Sequence, residues 1–132
     1  MKTDEKNPHD WLFLARERLR AADALFQSLG ATYSGVELLQ ESVERFLKAY
    51  LISKGWKLEK IHNLSTLLDR AVAFDEHFKT HADLCENLTV QFWAQHYPGD
   101  DLSEVGFDYV ELREHAGKLV AAIERETKGA QP

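Results

Sequence analysis

The chain has 132 residues, with sixteen basic side chains against twenty-two acidic ones and a net charge of −6. That length suits one domain with a core of its own, and 44 % hydrophobic with 29 % charged residues is the balance of a folded protein in water. The acidic excess argues against a nonspecific nucleic-acid binder, whose affinity comes from basic residues displacing counterions, and no apolar run approaches the roughly eighteen residues of a membrane span.

Asn7-Pro8 opens the first predicted helix, since asparagine suits the N-cap and proline the first helical position. Leu12, Ala15, Leu19, Ala22, Phe26 and Leu29 then alternate three and four apart, one apolar seam that Gly30 ends. The second helix carries Val36, Leu39, Val43, Phe46 and Tyr50, with Leu47 and Leu51 widening the stripe until Gly55. This breadth makes it the most buried helix expected. After Trp56, Asn63 caps a short third helix with Leu64, Leu67, Leu68 and Ala71 on its apolar side.

A fourth helix is predicted from about Asp75 to His96, burying Phe78, Cys85, Leu88 and Phe92, with Tyr97-Pro98-Gly99-Asp100-Asp101 as its break. Ser103 and Glu104 open the last helix, whose seam is Val105, Tyr109, Leu112, Ala116, Leu119 and Ile123. Gly106 and Gly117 each cost it about 1 kcal/mol relative to alanine, which packing must offset. From Thr127 onward fraying is expected. No segment alternates with the two-residue period of a strand. The expected fold is all-α, an antiparallel up-and-down four-helix bundle with an additional short helix. Residues 1–132 read as one domain, with its core at about 8–128.

A polar start, Met1 to Lys6, carries no secretory signal. The lone Cys85 cannot form an intrachain disulfide, so a reducing cytoplasm is the expected location.

On the second helix Glu44 and Lys48 stand four apart in the order that favours an ion pair, and Gln40 lies one turn before them. His62, just ahead of the Asn63 cap, either bonds back to the bundle and fixes the corner or contacts a ligand; the corner role is favoured. Lys54, Lys57 and Lys60 cluster on the same connection, a solvated loop in preference to a nucleic-acid patch.

The run Gln40-Glu-Ser-Val-Glu44-Arg45-Phe-Leu-Lys48-Ala49, followed after Gly55 by Lys60-Ile-His62-Asn63-Leu64, resembles the HEPN family. Tyr97-Pro98-Gly99-Asp100 is similar to that family's turn before its last helix, and Trp11-Leu12 through Ala21-Ala22 to its first helix. The resemblance implies a homodimer and a nucleotide-, RNA- or partner-binding role, with a minimal nucleotidyltransferase as partner in a toxin–antitoxin-like pair. Lys48, His62 and His96 are the candidates for a phosphate-facing patch.

Some HEPN proteins cleave RNA without metal, using an arginine followed four to six residues later by a histidine. The imidazole moves the proton and the guanidinium steadies the charged phosphate. Here His96 stands where the resemblance would place the arginine, and Arg113 has His115 only two residues on. Arg70 and His77 are the nearest match, with six residues between them, but across the junction of the third and fourth helices. A module with no catalysis of its own is therefore expected. A metal-independent endoribonuclease using Arg70, His77 and His96 is the alternative.

No cofactor or metal is expected. His77, His81 and Cys85 are spaced by four, but Cys85 also falls on the apolar seam. The single Glu-x-x-His, Glu59 with His62, sits in a predicted loop and cannot supply a di-iron centre. Trp11, Trp56, Trp93, Tyr33 and Tyr97 offer rings for base stacking, though core or dimer-interface roles are favoured for them.

Overall fold

The computed structural model describes residues 2–95 and 108–128. Among them are α1 (Pro8–Leu29), α2 (Tyr33–Ser53), α3 (Leu64–Phe74), α4 (Ala82–Ala94) and α5 (Tyr109–Thr127), with a 3-10 helix over Glu76–His81 and no strand. The protein is all-α. No described helix is long and apolar enough to cross a membrane.

Local chemistry sets most of the ends. The Asn7 side chain accepts from His9 N–H, Thr32 from Gly35 N–H and Asn63 from Thr66 N–H, each satisfying a donor that the first turn leaves over. Gly30 closes α1 at φ +75°, where a side chain would be strained, and its N–H donates to Phe26 C=O.

The core gathers on α2, which buries Val36, Leu39, Val43, Phe46, Leu47 and Leu51 completely. Helix α1 runs antiparallel to it: Trp11 lies by Lys48, Ser42 Oγ donates to Ala15 C=O at 2.8 Å, and Arg18 reaches Glu41. Ala15 and Ala22, both fully buried, allow the two helices to approach closely. Helix α5 packs on α2 and is tied across to α1 by Arg16–Glu124, Asp23–Arg113 and the stacked rings of Phe26 and Tyr109, again antiparallel. The Asp23–Arg113 pair is bidentate, with nitrogen–oxygen distances of 2.7 and 3.1 Å.

Several expectations need correction. Glu76–His81 is 3-10 rather than α, so the fourth α-helix begins at Ala82 and not near Asp75. Asp75 is extended (φ −153°) and its carboxylate caps the His77 N–H, which starts a separate turn. Within that turn only Phe78 is buried, held 4.6 Å from the Tyr50 ring.

Leu29 leaves the α1 seam and is 66 % exposed. The last helix begins at Tyr109, because Asp108 is extended and its side chain accepts from Glu111 N–H. Ser103, Glu104, Val105 and Gly106, with the turn Tyr97–Asp101 and His96, lie outside the described residues. Thr127 is not frayed: it is buried in the last turn, with Oγ1 donating to Ile123 C=O at 2.7 Å.

Candidate functional site

Glu44 is the centre of the polar arrangement on α2. Its Oε2 accepts from Lys48 Nζ at 2.9 Å and pairs with His62 Nδ1 at 3.1 Å. Gln40, one turn earlier, directs Nε2 toward the His62 carbonyl at 3.4 Å. Asn63, the next residue, caps α3. Gln40 and Glu44 thus fasten the chain between α2 and α3 onto the face of α2 through His62.

Burial changes the weight of this pair. The Lys48 and Glu44 side chains are only 4 % and 10 % exposed, whereas the His62 ring is 76 % exposed. Exposed helical ion pairs contribute a few tenths of a kcal/mol. A buried pair that loses one partner leaves an uncompensated charge and costs about 3–5 kcal/mol. Lys48 Nζ also lies 5.5 Å from the centre of the Trp11 ring, within cation–π reach.

Two hollows of about 400 Å³ each flank His62. The first is walled by Trp11, Leu14 and Leu58, with Lys48 at its inner side. The second lies toward α4, between Gln40, Arg45, Asn63, Phe92 and Trp93. Lys48 and His62, two of the three candidate phosphate contacts, are therefore brought together, and both are already engaged with Glu44. His96, the third, lies outside the described residues.

Arg70 and His77 are differently placed. Arg70 Nε on α3 sits 3.8 Å from Glu59 Oε1. His77 Nδ1 lies 2.9 Å from Asp75 Oδ1, and its ring is 92 % exposed. The backbone and side-chain hydrogen bonds from His77 hold the Asp75 carboxyl below its ordinary range. A third hollow of about 290 Å³ is lined by His77, His81, Arg125 and Glu126 among others, and Arg70 is not part of its lining. Burial lowers the pKa of His81 there, favouring the neutral ring.

The spacing of His77, His81 and Cys85 does not make a common face. The first two are on a 3-10 turn with about three residues per turn, while Cys85 is fully buried on α4. Burial raises the Cys85 thiol to about 12, far from the thiolate a metal would take. Among the described residues no three His, Cys, Asp or Glu side chains gather as a metal site.

Sequence reasoning paired Glu44 with Lys48 and turned His62 back toward the bundle, but it did not bring both to one oxygen. It also missed the hollow over Trp11. That hollow is closed by Asp4, Glu5 and Asp10 near the N-terminus and by Glu59 in the α2–α3 connection, and no local pattern links segments so far apart.

The run from Gln40 to Asn63 is thus gathered into one polar corner between α2 and α3. The HEPN domain family model matches residues 8–125, and the chain belongs to that family. At family level this marks a nucleotide- or RNA-related module, and HEPN domains commonly dimerise. No curated protein and no solved structure matches the chain.

Proposed function

We propose that this chain is a HEPN module without catalysis of its own, which works by docking a protein partner. The partner class the family suggests is a minimal nucleotidyltransferase in a toxin–antitoxin-like pair, with the HEPN chain acting as a homodimer in the cytoplasm. The observation that carries this reading is the shared Glu44 oxygen. Lys48 and His62, the side chains best placed to face a phosphate, are both held by a carboxylate. The Lys48 charge is already offset by that buried carboxylate, and the net charge of −6 works against a phosphate ligand.

The direct test is to add ATP or a short single-stranded RNA to the isotopically labelled protein while observing the His62 ring resonances. Unchanged resonances at millimolar ATP are expected. A saturable shift at His62, lost in Lys48→Met, would replace partner docking with nucleotide binding.

One observation favours a second reading, a metal-independent endoribonuclease. Asp75 holds His77 by Nδ1, so Nε2 of an almost fully exposed imidazole faces outward, as a general base requires. Against it, Arg70 is engaged near Glu59 and is absent from the lining of the hollow that contains His77.

A further inference from the structure

The hollow over Trp11 has a chemical character of its own. Its walls are apolar: the indole of Trp11 with Leu14 and Leu58. Trp11 Nε1–H donates to Glu5 C=O at 2.7 Å, and Lys48 Nζ donates to Glu44 at 2.9 Å while lying 5.5 Å from the centre of the Trp11 ring. His62 commits Nδ1 to the Glu44 carboxylate. Around the opening stand the carboxylates of Asp4, Glu5, Asp10 and Glu59, against the exposed ammonium of Lys60; Asp4 and Asp10 also accept backbone N–H groups, and Glu59 lies 3.8 Å from Arg70 Nε.

A pocket with an aromatic wall, aliphatic sides and an acceptor-rich, negative rim selects a cation on an apolar stem. We propose that this hollow docks an arginine side chain presented by an apolar segment of a partner protein. The guanidinium lies flat on an indole, satisfies several acceptors at once with its five N–H donors, and sheds water more readily than an ammonium. Its methylene stem packs along Leu14 and Leu58. The arginine thus supplies the charge that the rim lacks, and flanking apolar residues of the partner cover the edge of Trp11. This rests on the partner-docking reading only in taking the occupant to be a protein.

The test uses the intact protein and a set of blocked probes: acetyl-Leu-Arg-Leu-amide, the same tripeptide with citrulline for arginine, and arginine amide alone. Binding is followed at the Trp11 indole N–H resonance, assigned through Trp11→Phe. The expected result is saturable binding of the arginine tripeptide, at least tenfold weaker for citrulline, weakened again by Glu59→Gln and by raised salt. Citrulline keeps the shape and loses the charge, so this comparison does not depend on a variant that folds.

Equal binding of the arginine and citrulline tripeptides, or no binding of either, overturns the proposal. Arginine amide binding as tightly as the tripeptide also overturns it, because the occupant would then be a small organic cation. Ribonuclease activity in the same preparation would defeat the non-catalytic reading and leave the probe result standing, so the two failures are distinct.

Discussion

Lys48 Nζ and His62 Nδ1 converge on a single oxygen, Oε2 of Glu44, at 2.9 and 3.1 Å. The first is buried on α2 and the second lies at the solvent edge ahead of α3, so one carboxylate joins the interior of the core helix to the corner that leaves it. Glu44→Gln should therefore cost about 3–5 kcal/mol in urea unfolding, because it leaves the Lys48 ammonium buried without its counter-charge. Glu44→Gln combined with Lys48→Met should cost less than the sum of the two single changes. Additive losses would mean that the pair is not coupled.

At the α2–α3 corner, Asn63→Ala removes the acceptor for Thr66 N–H. A loss of about 1 kcal/mol is expected, as for other N-caps, while Asn63→Asp should restore it. Thermal unfolding of the two variants distinguishes a cap from a side chain of no consequence.

His81 makes stability depend on pH with a definite sign. Burial lowers its pKa in the folded state below the ordinary 6.5. The unfolded chain therefore binds the proton first as pH falls, and stability is present above the unfolded pKa and lost as pH falls toward the folded one. The Asp75 carboxyl, also held low, contributes in the same direction but in the acid range, as pH falls from the carboxylate's unfolded pKa through its folded one. His81→Gln should flatten the urea-midpoint profile between about pH 7 and 5, the window where a histidine titrates. An unchanged slope would show that the ring is equally easy to protonate in both states.

Cys85 should stay inert in the native protein. Its thiol is fully buried and raised to about 12, so the reactive thiolate is scarce and shielded. An aromatic disulfide reagent is expected to modify it only at the rate of unfolding. Immediate stoichiometric reaction would contradict the burial.

How much of this was legible in the sequence depends on the range of the interactions. The seams of α1, α2 and α5 were readable because a buried helix face repeats every three to four residues, and Val36, Leu39, Val43 and Phe46 fall on one. Asn7 and Asn63 were legible as caps because capping is settled within three residues. The 3-10 turn over Glu76–His81 was not. Phe78, His81 and Cys85 mimic helical spacing, and the decisive feature is the extended backbone of Asp75 with its cap to His77.

The candidate site divides in the same way. Glu44 and Lys48 are local on one helix and were visible as a pair. The approach of His62 depends on how the connection folds back, and the hollow over Trp11 depends on the N-terminal segment lying against that connection. Leu29 shows the opposite failure: it continues the seam by spacing, yet stands beyond the edge of the packing partner and faces solvent.

The central claim, a HEPN module that does not cleave RNA, is tested most directly by incubating nuclease-free purified protein with labelled single-stranded RNA across a range of salt and pH. Wild-type and His77→Ala protein should leave the RNA equally intact. Cleavage by the wild-type protein that disappears in His77→Ala would contradict the account and make the Asp75–His77 pair part of an active site.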